Sequence, residues 1–269
     1  MPKWSHLILG FKVFLKAVPL FFRYRLYSFA ILPILIAIIL NTGNELILPT
    51  EKIAEANSTI GIFWAWIAIT FQTILGILMF ALGNFLAPLI LTPLFTYYSE
   101  RCEKLISGKD TPFELFQFLK DVLRAARLSL RNIILYSFWI LILYLFTISL
   151  LGESEKVIFR LGTFVFGAYF YGFNFLDYSL ERKKLNYHQC ISFIKSHKGI
   201  ALSIGACFSL SILFPTAAPF PFDSLTGMKD MFIWLSRALS PLIGILAATL
   251  CMAELEKDSI KISTEATEK

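Results

Sequence analysis

Arg23 and Arg25 stand against the start of an apolar run, LFFRYRLYSFAILPILIAIIL from Leu20 to Leu40, that carries Pro33 inside it. Two guanidinium forks beside the unsatisfied N–H groups of a helix start suit a tetrahedral dianion, because both kinds of group donate to oxygen. On a continuous helix, residues two apart point in different directions, so both arginines reach one anion only where the backbone is not helical. The same residues also serve as plain orientation signals beside a membrane span. Both readings stand at this point.

Other groups with chemical potential are fewer. Arg124, Arg127 and Arg131 fall at i, i+3 and i+7, a basic stripe that faces phosphates or a partner, or snorkels to lipid headgroups. Asn84, Pro88 and Pro93 lie together, and the carbonyls that the prolines free either line a polar path with Asn84 or only mark a bent helix. Asp177, Tyr178 and His188 could be written as acid–base residues, but a helix cap and a solvated loop use the same types, and no nucleophile with a positioned base is visible. No catalytic residue is assigned and no enzyme is expected. Cys102, Cys190, Cys207 and Cys251 are widely spaced, without histidine at ligand spacing, so neither a metal nor a disulfide framework is expected. No cofactor is expected, and no G-x-x-x-x-G-K-[ST] occurs to hold ATP.

The elements that carry these residues are membrane helices. Only 16% of the 269 residues are charged and the mean hydropathy is +0.67, where a soluble domain of this size has about 25% charged residues. The apolar residues form several runs between short loops, so residues 1–253 read as a single membrane domain, and 254–269 as a short polar tail expected to be disordered. The net charge of +6 comes from membrane-flanking residues without a recognition motif, which excludes nucleic acid and points to membrane lipids.

Trp4, Leu7, Ile8, Phe11, Leu15 and Val18 recur at helical spacing with Lys12 and Lys16 on other faces, the pattern of an interfacial helix. Leu26 to about Gly43 gives the roughly 20 residues that cross about 30 Å of hydrocarbon. The uncharged stretch from Ala56 to Ser99 is too long for one span, so a crossing over 60–80 is expected to continue as a kinked extension to Glu100 and Glu103. In DTPFEL, Thr111, Pro112 and Glu114 read as a capping box. Two hairpins follow, 132–151 with 161–176 and 199–214 with 236–253. An arm of about 16 residues reaches only about 24 Å, so the hairpins are expected to dip into the bilayer as readily as to cross it. Gly162, Gly167 and Gly172, spaced by five, turn to different sides and do not read as a G-x-x-x-G contact.

Of the 25 basic residues, 20 lie before the first span, in 101–131, in 182–198 or in the tail. The positive-inside rule then places both termini in the cytoplasm. If the hairpins only dip, Glu153 and Glu155 lie at membrane depth, which implies an oligomer and makes them the first suspects for proton coupling.

The segment LDYSLERKKLNYHQCISFIKSHKGIALSIGACFSLSILFP resembles the CysZ-type sulfate-transport and etoposide-induced-protein-like membrane family. Its Asp-Tyr pair, basic loop, amphipathic helix, glycine and proline are similar to Asp177, Tyr178, Gly205 and Pro215. Asn84, Pro93, Glu100, Glu103 and Gly108 are similar to the family's second long helix, and Pro241, Ala248 and Thr249 to its C-terminal motif with one residue inserted. The resemblance runs from Leu20 to about Ala253.

It implies an all-α integral membrane protein with an interfacial N-terminal helix, two long transmembrane helices and two partly penetrating hairpins, assembled as a homo-oligomer. It also implies inner-membrane uptake of a small inorganic anion, sulfate. The family's anion site is a glycine, an apolar residue and two adjacent arginines just before Ile-Leu-Pro. Set by Ile31, Leu32 and Pro33, those places hold Arg25, Leu26, Tyr27 and Ser28. The arginine pair is missing, which favours either a site displaced onto Arg23 and Arg25 or a non-transporting membrane organiser of the same fold.

Overall fold

The computed structural model describes residues 4–36, 67, 71, 87–108, 115–150, 155–181, 183, 185, 187–217 and 226–267. The described elements are helical throughout: α1 (Trp4–Arg23), a 3-10 helix (Leu26–Ala30), α2 (Ala87–Ser107), α3 (Leu115–Leu150), α4 (Glu155–Glu181), α5 (Tyr187–Ser196), α6 (Lys198–Ala217) and α7 (Thr226–Thr267). Among the described residues, four stretches are long and apolar enough to cross a membrane: Trp4–Arg23, Ala126–Thr147, Lys198–Pro215 and Met231–Lys257. The protein is an all-α membrane protein.

The chain divides into two compact units, one of residues 1–30 and 93–269, the other of residues 31–92. In the second, only 31–36, Ile67, Phe71 and 87–92 are described, all helical. The expected crossing over 60–80, apart from those two residues, and Asn84 therefore lie outside the described residues, as does the capping box at 111–114. The extension beyond them is present: α2 runs through Pro93 and ends at Gly108, whose φ of +70° and N–H bond to the Lys104 carbonyl (3.0 Å) form a left-handed C-terminal cap.

The first unit is built on small residues. A Cβ placed on Gly205 would fall on the backbone carbonyl of Ala168, and one placed on Gly172 on that of Ala201. Thus Ala168 and Gly172 on α4 face Ala201 and Gly205 on α6, two small-x-x-x-small pairs that bring the helix backbones together. Glycines spaced by five gave no such signal; the register appears only when alanine is counted as small. Gly172 is a packing glycine, and not an ordinary one.

Against this pair lie α1 and α7. The inner face of α1 is Gly10, Val13, Phe14, Ala17 and Phe21. Trp4, Ile8, Phe11 and Leu15, part of the stripe seen in the sequence, are exposed on the other side. α7 is the central helix: 61% of its apolar window is buried, against 12% for that of α3. Leu242, Ile245, Leu246, Ala247, Ala248 and Cys251 on α7 are enclosed, whereas Ile134, Phe138, Leu141 and Leu145 on α3 face outward, which is where lipid would lie.

Helix lengths differ from expectation. The basic stripe and the first hairpin arm are one 36-residue helix, α3, because nothing between Leu115 and Leu150 is a glycine or proline. α4 has 27 residues and α7 has 42, so these arms are not short. The last helix continues past residue 254 to Thr267. Two ion pairs engage the start of this continuation, Lys16 with Glu254 at 2.6 Å and Lys183 with Glu256 at 2.7 Å. Pro215 and Pro241 both lie inside helices, α6 and α7.

The crossing makes a prediction about glycines. Gly205→Ala and Gly172→Ala each set a methyl group on a backbone atom and should cost about 1–3 kcal/mol or more of stability. Gly162→Ala meets only the side chain of Leu143 and should cost less. Thermal unfolding in detergent, read by thiol-reactive dye on the buried Cys102, Cys190 and Cys251, checks the order.

Candidate functional site

α1 ends at Arg23 because the chain turns there. The N–H of Tyr24 still bonds to the Leu20 carbonyl at 3.0 Å, that of Arg25 shortens to the Phe22 carbonyl at 3.1 Å, and Arg25 then takes φ = +53°. A non-glycine residue in the left-handed region costs about 1–2 kcal/mol, so the surroundings must hold it. Leu26 and Ala30 do so, each 2% exposed, with Phe29 edge-on to Tyr98 at 5.2 Å and tilted on Tyr97 at 6.0 Å. Ser28 donates from its hydroxyl to the Arg25 carbonyl at 3.2 Å and closes the turn.

Arg23, Arg25, Tyr27 and Ser28 are all exposed around this turn, and Leu26 is not: it is the anchor. The backbone between the two arginines is non-helical. Leu26 and Tyr27 open the 3-10 helix, so their N–H groups have no helical carbonyl behind them. The turn therefore carries two exposed guanidinium forks, donors of the kind a tetrahedral oxyanion accepts from.

The other sequence candidates lie elsewhere. Pro88 and Pro93 are within α2, and Glu100 and Glu103 follow on the same helix. Gly205 belongs to the α4–α6 crossing. Asp177 and Tyr178 are in the last turns of α4 and not at a cap. Asp177 is buried and bonded to Arg124 of α3 at 3.2 Å, with side chains 5% and 16% exposed. Arg124 also donates to the Leu185 carbonyl at 2.9 Å, so one guanidinium joins α3, α4 and the segment before α5. The Tyr178 ring meets Phe95 edge-on at 5.9 Å, and its carbonyl accepts the Ser99 hydroxyl at 3.4 Å.

The basic stripe is therefore divided. Arg124 turns inward to a carboxylate, Arg131 lies over the Phe173 ring at 5.8 Å, and only Arg127 is exposed. Headgroup snorkelling does not describe Arg124. A signal for this pair existed in the sequence: an aspartate in the apolar stretch FNFLDYSL must find a cation if it is to be buried.

Close small-residue crossings, a buried ion pair between two apolar helices and a basic turn beside a span define a helical membrane protein with an exposed pair of arginines. The chain belongs to the sulfate transporter CysZ/etoposide-induced protein 2.4 family, whose family model matches residues 13–221. The match takes in the arginine turn, the Arg124–Asp177 pair and Gly205 and stops before Pro241. No curated protein matches the chain closely enough to lend it a substrate.

The buried pair has a measurable consequence. Asp177→Asn leaves Arg124 buried without its counter-charge and should cost about 3–5 kcal/mol, whereas Arg124→Met combined with Asp177→Leu should cost less. Melting temperatures of the single and double variants in detergent give the comparison.

Proposed function

We propose that the protein is a passive or proton-coupled permease or channel for a small oxyanion, sulfate first, in the inner membrane, with no covalent chemistry of its own. Membership of a family whose name includes a sulfate transporter supports the transport class. The observation that carries the anion reading is the left-handed backbone at Arg25, which breaks the helix between two arginines and so meets the condition for both to grip one anion. The anion is held at the displaced site by Arg23 and Arg25, on the turn that Leu26 anchors and that Tyr27 and the Ser28 hydroxyl bond complete.

The topology supports this reading too. Lys16, Lys183, Glu254 and Glu256 are tied at one end of the bundle by ion pairs, the end where the count of basic residues puts the cytoplasm. Both termini are then cytoplasmic. The outward apolar face of α3 is exposed among the described residues, which suits contact with lipid or with a second copy.

One observation favours a second reading. The adjacent arginine pair of the family's site is absent here, and a membrane organiser of the same fold would not need it.

Radiolabelled sulfate uptake into liposomes separates the two. The wild-type protein should accumulate sulfate, and Arg23→Ala should lower uptake at least about tenfold through loss of a charge-assisted hydrogen bond. Arg25→Gly should do the same, since glycine keeps the left-handed turn and removes only the charge. No uptake above empty liposomes would favour the organiser, and uptake unchanged in both variants would remove the displaced arginine site.

A further inference from the structure

A second polar group lies on the α3–α4 hairpin, inside the apolar window of α3 and apart from the arginine turn. Arg131 donates from Nη1 to Asn132 Oδ1 at 3.3 Å, and Asn132 donates from Nδ2 to Asn174 Oδ1 at 2.6 Å. The direction of this chain is forced. Arginine has donors only, so it must meet the Asn132 oxygen; Asn132 then presents its NH2 to the Asn174 oxygen. The Asn174 NH2 is a donor that makes no hydrogen bond among the described residues.

Asn132 and Asn174 line a cleft of about 70 Å³ together with Tyr136, Gly167, Phe170 and Tyr171. Tyr136 and Tyr171 add hydroxyl groups. The absent side chain of Gly167 keeps the space open: a Cβ there would stand 3.6 Å from the Tyr171 ring and 3.9 Å from the Tyr136 hydroxyl, so a longer side chain would fill it. Arg131 has no carboxylate in ion-pair range among the described residues, and its positive charge sits behind the amide chain.

Donors on the wall, a cation behind them and no carboxylate in the lining call for a ligand that accepts hydrogen bonds and carries negative charge. Polar side chains within a membrane span are costly unless they pair or serve such a ligand. We propose that this cleft binds a tetrahedral oxyanion, a site independent of the arginine turn, and that Asn174 is its donor. A lipid phosphodiester and free sulfate share the chemistry.

The test uses the purified full-length protein with two probes, radiolabelled sulfate and phosphatidylglycerol, the latter counted by native mass spectrometry against phosphatidylcholine. One of the two probes should be retained by the wild type and lost by at least about tenfold in Asn174→Asp, which keeps the shape but replaces the donor with a charged acceptor. Gly167→Leu, which fills the cleft and leaves every donor in place, should lose it equally. Arg23→Ala with Arg25→Gly should leave the retained phosphatidylglycerol, or the cleft's share of bound sulfate, unchanged. Loss of phosphatidylglycerol alone identifies a headgroup site, and loss of sulfate alone a free-anion site. Retention of neither probe above phosphatidylcholine, or Asn174→Asp and Gly167→Leu variants that elute as folded protein and bind like wild type, would overturn the proposal.

Discussion

The close crossing of α4 and α6 is the constraint on which the rest of the membrane core depends. In lipid there is little hydrophobic drive for helices to associate, so contact must come from packing and hydrogen bonds. Ala168, Gly172, Ala201 and Gly205 supply it by removing side chains where the backbones meet. With α4 fixed against α6, Phe175 can lie on Gly244 of α7, and Ser203 of α6 on Gly10 of α1. Four helices are thereby located by four points where a larger residue does not fit.

Electrostatics completes the arrangement at one end. Asp177 emerges from the α4–α6 layer toward α3 and meets Arg124, whose other donor reaches the Leu185 carbonyl. A buried pair of this kind adds little net stability over a hydrophobic substitute, but it penalises any packing in which one partner loses the other. It therefore specifies which part of the long α3 helix lies beside α4. The exposed pairs of Lys16 with Glu254 and Lys183 with Glu256 contribute about 0–1 kcal/mol each and mainly set register.

Much of this was legible in the sequence. The scarcity of charge and the segmented apolar runs gave the fold class, and the spacing around Asp177, Gly205 and Pro215 gave the family that the match over 13–221 shows. Helix lengths were not legible, because a charged residue reads as a boundary in a hydropathy pattern while α3 and α7 continue through charged segments as helix. The Arg124–Asp177 pair was missed because its partners are 53 positions apart and each has a plausible local role. The turn at Arg25 was legible only as a condition: a sequence shows two arginines two apart, and only the backbone shows that the helix stops between them.

That stop sets Arg23 and Arg25 on one turn, and its most direct functional test is a chemical footprint of the arginines with and without sulfate. Phenylglyoxal modification of the purified protein, mapped by mass spectrometry, reads each guanidinium separately, and the exposed Arg127 serves as the internal reference. If the turn brings both arginines to one anion, sulfate protects Arg23 and Arg25 together, over the same concentration range, and leaves Arg127 unchanged. Equal modification with and without sulfate, or protection of one of the two alone, would contradict it.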